Sequence, residues 1–168
     1  MTDPFMYGYQ EIEDMSLAAL KKLNDNGIKC SILTKGILPQ VLAKMSNLNE
    51  YGITLISLDE SFRMRMEPGS APLVMRLQAL RWLHDQGCKT WVSIEPYPTP
   101  NIKEQELWPL LESVGFVDKI IFGRMNYSKS VTAYKEHKQF FNEKAAEVIK
   151  FCDEKGINYH IKSGTVTE

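Results

Sequence analysis

One unit recurs along this chain: an amphipathic helical stretch, a short turn ending at or near glycine, then a β-branched run of about six residues. The helical stretches are 12–24, 38–47, 73–85, 104–113 and 131–155. Gly27, Gly52, Gly87, Gly115 and Gly156 follow them, where a left-handed helix end calls for a residue without Cβ. The runs that come next, 28–34, 53–58, 88–95, 117–123 and 157–163, read as strands. Near-continuous apolar strands separated by helices imply a parallel sheet covered by helices, because a parallel pair needs a long crossover. Asp14 or Ser16 is placed to cap the first helix, Pro39 lies early in the second, Pro72 precedes the third, and Asn101 is placed to cap the fourth. A glycine-rich dinucleotide fingerprint and a GxxxxGK[ST] loop are both missing, so a barrel-like sheet is expected in preference to a Rossmann or P-loop fold.

The 168 residues suit a single domain, 1–168, with a real core. Apolar residues at 43% and charged ones at 24% are ordinary for a globular protein. The formal charge of -1 removes any global basic field, so nothing independent argues for nucleic acid. No apolar run approaches the roughly 18 residues of a membrane span, and the opening MTDPFMYGYQ has no signal-peptide pattern. A soluble, cytoplasmic protein with no membrane partner is therefore expected. Cys30, Cys88 and Cys152 have neither CxxC nor CxxxCxxC spacing, and each reads as a buried small hydrophobe in a reducing compartment. No metal site is expected from them. His84, His137 and His160 fall in a helix tail, a surface helix and the last strand, which gives little support to histidine chemistry. Trp82, Trp91 and Trp108 read as core.

In parallel β/α sheets the site gathers at the strand C-termini. The segments expected there are TDPF (2–5), TKG (34–36), SLDESFRMRMEPG (57–69), EPYPTPN (95–101), GRMNYS (123–128) and KSGT (162–165). Such a ring of polar and charged residues suits a polar ligand carrying both charges. The alternative is a solvated rim whose charges pair with one another.

The series TDPF, then TKG about thirty residues later, then ISLDESFRMRMEPGSAP followed by RLQALRWLHDQG, resembles the second half of the barrel in radical S-adenosylmethionine (radical SAM) proteins related to spore photoproduct lyase. The Glu-Pro of the third segment and the Arg-Leu opening the next helix are its most specific parts. The resemblance runs from Thr2 to about Asn126, and FxxKAAEVIKFCDEKGINYHIKSGT continues as a further helix and strand. It implies an α/β fold, a partial (β/α)6 TIM-barrel-like domain that binds S-adenosylmethionine across the strand C-termini, with the first strand or strands missing. Full-length relatives hold a [4Fe–4S] cluster on a CxxxCxxC loop, whose three thiolates leave one iron open. This sequence has no such loop, so the cluster is not ligated by this chain.

By the resemblance, Asp3 approaches the ligand's amino group, as suits a carboxylate against an ammonium; read locally, it is a turn or N-cap residue before Pro4. Lys35 and Ser57 match positions that hold the ligand's carboxylate, by charge and by hydroxyl, or else are a rim Lys and a strand Ser. Glu60, Arg63, Arg65 and Glu67 form either a self-satisfied salt-bridge cluster or part of the site, with Glu67 assigned to the cofactor and Arg63 to substrate. Arg76 sits beside the ligand or the Glu67 loop in the resembling family. At a helix N-terminus the dipole disfavours a cation, so something should compensate it. Glu95 ends an apolar strand and is assigned to substrate, with Arg124 or Lys35 as the partner that keeps it charged. Tyr97 is either a stacking face for substrate or lid packing, and Asn126 supplies an amide to the cofactor. Asp3, Lys35, Ser57, Glu95 and Asn126 are expected on one rim.

The first functional reading is the S-adenosylmethionine- and substrate-binding portion of a radical SAM enzyme, inactive alone. Complete relatives cleave S-adenosylmethionine reductively to a radical that abstracts hydrogen. The second is a non-catalytic module that completes its barrel with a cluster-bearing chain, or self-associates, through an open sheet edge. The third is an unrelated β/α enzyme using Glu95 and Lys35. No residue is assigned to catalysis, and the substrate is not named by the sequence.

Overall fold

A computed structural model describes residues 3–125 and 128–167. Its elements are α1 (Gln10–Asp25), β1 (Ser31–Thr34), a 3-10 turn (Gln40–Lys44), β2 (Glu50–Thr54), α2 (Glu60–Met66), α3 (Leu73–Asp85), β3 (Lys89–Tyr97), α4 (Trp108–Ser113), β4 (Lys119–Arg124), α5 (Lys129–Ala133), α6 (His137–Lys155) and β5 (Asn158–Ile161). The five strands are parallel, in the sheet order β1-β2-β3-β4-β5, and alternate with helices as expected. The chain forms two compact units, Met1–Thr54 with Asp59–Trp91, and Leu55–Leu58 with Val92–Glu168.

In the first unit β1 and β2 run in register from Ser31↔Glu50 to Thr34↔Ile53. The apolar stripe of α3 buries Leu73, Arg76, Leu80 and Leu83, spaced three or four residues apart or a multiple of that. Arg76 therefore lies on the stripe and cannot reach water. Tyr51 is enclosed, and its hydroxyl donates to the Leu42 carbonyl at 3.0 Å. Gly27 and Gly87 take positive φ, as expected of helix ends. Gly52 does not; it lies within β2, where a Cβ would come within 2.4 Å of the Trp91 indole. Its reason is close packing, not helix termination.

Several expected boundaries move. The stretch 38–47 yields only a 3-10 turn, since Pro39 is extended at its start and Met45 at its end. The strand expected at 53–58 is Glu50–Thr54. The stretch 57–69, expected as a loop, contains α2, capped by Asp59, whose carboxylate accepts from Ser61 N (2.8 Å) and Phe62 N (3.1 Å). The first helix begins at Gln10 with Tyr9 as N-cap, so Asp14 caps nothing and instead accepts from Gln10 Nε2.

In the second unit β4 and β5 pair from Lys119↔Asn158 to Phe122↔Ile161. The helix expected at 131–155 is two helices, because Tyr134 turns extended between them. Helix α6 buries Phe141, Ala145, Val148, Phe151 and Cys152, and ends at Gly156 with φ 68°. Asn101 does not cap α4, which begins seven residues later; it donates to the Ser130 carbonyl. Trp91 is core, whereas Trp108 is 36% exposed and packs edge-on against Phe151. Cys152 is buried, and Cys30 and Cys88 are half-buried.

Candidate functional site

Glu67, Pro68, Gly69 and Ser70 form a tight turn after α2. Ser70 N donates to the Glu67 carbonyl, and Gly69 takes φ 82° behind Pro68, the pattern of a type II turn. Ala71 N donates to the Lys35 carbonyl at 2.9 Å, which ties this turn to the end of β1. Glu67 is thereby turned inward and its carboxylate is almost wholly buried. Its Oε2 accepts from both terminal nitrogens of Arg76 at 3.2 Å, and Arg76 also donates to the Thr54 carbonyl at 2.8 Å. Burial pushes the Arg76 guanidinium below its ordinary value, and the adjacent Glu67 opposes this. The compensation expected for Arg76 is thus Glu67, joined by a backbone carbonyl.

The other oxygen of Glu67, Oε1, faces Lys35. Lys35 Nζ lies 3.0 Å from it, and its side chain is 43% exposed. The contact is ionic without the alignment of a hydrogen bond, so Oε1 is a buried acceptor with no aligned donor. Around this pair lies a cavity of about 460 Å³ lined by Asp3, Met6, Tyr7, Tyr9, Met66 and Glu67 among others. Its size falls in the ordinary range of small-molecule pockets.

Asp3 borders the same cavity, but the fold occupies its carboxylate. Oδ1 accepts from Phe5 N and Thr34 Oγ1, and Oδ2 accepts from Lys35 N at 2.7 Å. The local reading of a turn Asp thus describes its contacts, with the added task of anchoring the Lys35 backbone. Arg63 is likewise held: its guanidinium donates to Glu60 and to the carbonyl and hydroxyl of Ser70. The Arg63 hydrogen bond holds Glu60 below the usual carboxylate range. Arg65 lies over the Phe62 ring. Of the four residues expected as one salt-bridge cluster, Glu60 and Arg63 pair with each other, while Glu67 pairs outside the four, with Arg76 and Lys35.

The second unit holds the remaining assigned residues. Leu55 N donates to the Ser93 carbonyl, so Ser57 and Glu95 each lie two residues beyond a bonded pair; Ser57 is buried. Glu95 pairs with Lys162, Oε2 to Nζ 2.6 Å, and not with the expected Arg124 or Lys35. Gly123 on β4 makes this possible, since a Cβ there would stand 2.9 Å from Glu95 Cδ and Cγ. Tyr97 is fully enclosed, near-parallel to Phe140 and tilted against Phe122, so its ring packs within the unit. Burial raises its phenol to about 12. Asn126 lies outside the described residues. Sequence reasoning missed Thr34, Thr54, Ser70, Gly123 and Lys162; Thr34, Gly123 and Lys162 had a signal, their places in the strand-end segments TKG, GRMNYS and KSGT.

The family resemblance implies two groups, and the residues can be tested against each. An ammonium-bearing, zwitterionic ligand such as S-adenosylmethionine fits the first unit, where the Glu67 Oε1 acceptor and the Lys35 ammonium border one cavity. A [4Fe–4S] cluster does not fit this chain's thiols. Cys30 and Cys88 belong to one unit and the enclosed Cys152 to the other, and no group of three metal-binding side chains exists among the described residues. No helix of the described residues is long and apolar enough to cross a membrane.

Among solved structures, a domain of pyruvate-formate lyase-activating enzyme from Bacteroides vulgatus aligns with a TM-score of 0.64 at 14% identity, over 95% of this chain and 97% of that one. Streptococcus suis SuiB bound to S-adenosylmethionine aligns with a TM-score of 0.59 at 16% identity, over 93% of this chain. SuiB bound to precursor peptide SuiA gives 0.58 at 18%, over 89% of this chain. This chain spans only 37% and 35% of those two SuiB chains. At such identities the likeness is one of fold. No curated protein matches the sequence. The profile of the Radical SAM superfamily matches residues 1–114, and the chain belongs to that superfamily.

Proposed function

We propose that this chain is the S-adenosylmethionine- and substrate-binding portion of a radical SAM enzyme of the group related to spore photoproduct lyase, and that it is not catalytic on its own. The observation that carries the reading is the Lys35–Glu67 pair beside the cavity, an ammonium and a buried carboxylate acceptor set to receive the carboxylate and ammonium of one amino acid. Superfamily membership supports it, and so does the fold shared with a SuiB structure that contains S-adenosylmethionine. The cofactor, bound together with a cluster, supplies an oxidising radical that takes a hydrogen atom from substrate. This chain's residues bind and orient: Lys35 neutralises the ligand carboxylate, Glu67 receives the ammonium, Arg76 holds the Glu67 carboxylate in place through its Oε2, and Asp3 fixes the Lys35 backbone. The cluster comes from thiols other than Cys30, Cys88 and Cys152, on a partner chain or segment that meets the sheet edge.

Titrating S-adenosylmethionine into the purified chain, read by isothermal calorimetry, tests this. Saturable binding that weakens about tenfold in Lys35→Gln is expected, since a hydrogen bond to a charged group contributes about 1.5–3 kcal/mol. Absence of saturable binding, or equal affinity in the variant, contradicts the cofactor assignment. Anaerobic treatment with iron and sulfide should leave the chain colourless; a stoichiometric brown cluster contradicts the statement that it is not catalytic alone. Superfamily membership sets aside the reading of an unrelated enzyme using Glu95 and Lys35, and each of those residues already has its own ionic partner.

A further inference from the structure

The cavity of about 460 Å³ in the first unit has two kinds of wall. Lys35 and Glu67 form its charged end, which the cofactor reading fills with the carboxylate and ammonium of an amino acid. Met6, Tyr7, Tyr9 and Met66 line it as well, two thioethers and two phenol rings. Asp3 is also at the border, but both of its carboxylate oxygens are engaged, by Phe5 N, Thr34 Oγ1 and Lys35 N. Among the described lining residues, a second positive centre on the ligand, away from its amino-acid end, therefore meets aromatic faces in place of an unengaged carboxylate.

The local fold presents the two rings. Tyr9 N donates to the Met6 carbonyl at 3.2 Å, and Gly8, between the tyrosines, takes φ 85°, the arrangement of a type II turn. A Cβ on Gly8 would meet no atom within 4 Å, so the glycine is there for its backbone conformation and not for space. The turn runs straight into α1: the Tyr9 carbonyl accepts from Ile12 N and Glu13 N, while the Tyr9 side chain makes no cap bond. Phe5 anchors the same segment in the core at 2% accessibility, which frees the tyrosines from that task. Tyr7 and Tyr9 stay 40% and 59% exposed, so two rings on one turn border the cavity with π surface that the core leaves unused.

We propose that Tyr7 and Tyr9 set the specificity of this site, selecting a sulfonium ligand over the corresponding neutral thioether. The inference rests on the cofactor reading and deepens it. An onium centre is attracted to the face of an aromatic ring within about 6 Å of its centroid, as quaternary ammonium ligands are. In S-adenosylmethionine two methylenes separate the sulfur from the α-carbon, so an amino-acid end held at Lys35 and Glu67 keeps the sulfonium inside a cavity of this size. S-adenosylhomocysteine has the same amino-acid end and the same nucleoside, and lacks only the methyl group and the charge. It keeps the contacts to Lys35 and Glu67 and loses the attraction to the rings. Each tyrosine acts through its ring face and not its hydroxyl, so phenylalanine serves in its place and leucine does not.

The test uses the full chain, with S-adenosylmethionine and S-adenosylhomocysteine titrated calorimetrically into the parent and into two double variants, Tyr7→Leu with Tyr9→Leu and Tyr7→Phe with Tyr9→Phe. Both positions are exposed, so neither variant opens the core. The parent should favour the sulfonium about fivefold or more. The phenylalanine variant should keep that ratio, and the leucine variant should bring it within about twofold. Proton spectra supply a second readout that a merely structural role would not move. The S-methyl resonance should shift upfield on binding to the parent and to the phenylalanine variant, as a methyl over a ring face does, and not on binding to the leucine variant. A parent that binds both ligands equally, a leucine variant that keeps either the preference or the upfield shift, or a phenylalanine variant that loses the preference overturns the proposal. Lys35→Gln weakening both ligands alike would then show the cofactor reading intact. Saturable binding of neither ligand overturns the cofactor reading and this inference with it.

Discussion

Gly36→Ala isolates a contact on which the first unit's cavity depends. The backbone of Gly36 is not in the left-handed region, so alanine is conformationally acceptable there; only space forbids it. A Cβ at this position would stand 1.6 Å from the Phe5 carbonyl oxygen and 2.7 Å from its carbon. Those are backbone atoms, and they can yield only if the 3–5 segment withdraws from the end of β1. Withdrawal breaks the hydrogen bonds from Thr34 Oγ1 and Lys35 N to the Asp3 carboxylate and exposes Phe5, which is 2% accessible. Two hydrogen bonds to a charged acceptor contribute about 3–6 kcal/mol together, and burial of one phenylalanine about 1.5–3 kcal/mol. The loss is therefore about 4–9 kcal/mol, against a total stability of about 5–15 kcal/mol for a typical protein. Thermal unfolding followed by circular dichroism should show a fall of about 10–30 °C at roughly 2–4 °C per kcal/mol. If the segment detaches while the rest stays folded, the fall is smaller, and hydrogen exchange should then show the Lys35 amide opened. The control is Gly69→Ala, where φ is 82° but no atom lies within 4 Å of the built Cβ; backbone strain alone costs about 1–2 kcal/mol there. A Gly36→Ala protein that melts with the parent and keeps its Lys35 amide protected would falsify this account of how the cavity is held.

Glu67→Gln should destabilise the chain by about 3–5 kcal/mol, because it leaves the fully buried Arg76 without its carboxylate; a change within 1 kcal/mol, read by urea unfolding, would mean that Arg76 is compensated elsewhere. The Tyr97 phenol is raised to about 12 from 10, so the folded state holds a proton that the unfolded chain releases between those values. The stability linked to it is complete below pH 10 and falls by about 2–3 kcal/mol as pH rises to 12; a parent that already shows one more tyrosinate than Tyr97→Phe at pH 10–11, or a parent stability flat from pH 10 to 12, would contradict the burial argument. Cys152, fully buried and with its thiol pushed up to about 11, should resist iodoacetamide at pH 8 in the folded chain while Cys30 reacts, and peptide mapping that finds them labelled at equal rates would refute the placement.

The helices that were legible in the sequence are those whose ends are written in local chemistry. Helix α3 runs from Leu73 to Asp85 as its periodicity predicts, bounded by Pro72 before it and by Gly87 at φ 80° after it. Where tertiary contact sets the boundary, the reading moved. Gly52 resembles a helix-ending glycine by spacing, yet its role is to admit the Trp91 indole, a partner 39 positions away that no local rule names. Helix α2 reads as loop because the charged run ESFRMRM hides the one buried residue, Phe62, although Asp59 with Glu60 after it is an N-terminal signal. In the site, the need to compensate Arg76 follows from the helix alone, since it falls on a stripe with Leu73, Leu80 and Leu83. The identity of the compensator as Glu67 required the Pro68–Gly69 turn that folds it back.

Glu95 shows a pairing that neither residue announces by itself. A carboxylate at the end of an apolar strand needs a cation, and the strand-end cations Arg124 and Lys35 are the partners the sequence suggests. Lys162 lies beyond β5, while β4 stands between β3 and β5 in the sheet. Neighbouring strands are about 4.8 Å apart, so a side chain on β3 reaches a partner past β5 only by crossing over β4. Any side chain at position 123 would fill that path, as the 2.9 Å approach of a built Cβ to the Glu95 carboxyl carbon shows. Gly123 is therefore present for Glu95 and not for its own backbone, which takes no positive φ. Gly123→Ala should separate Glu95 from Lys162 while β4 and β5 remain paired. The measurement is the Lys162 ammonium chemical shift, which should move in Gly123→Ala as it does in Glu95→Gln. If the two variants shift it differently, or Gly123→Ala leaves it unchanged, then Glu95 reaches Lys162 by another route and the glycine has some other cause.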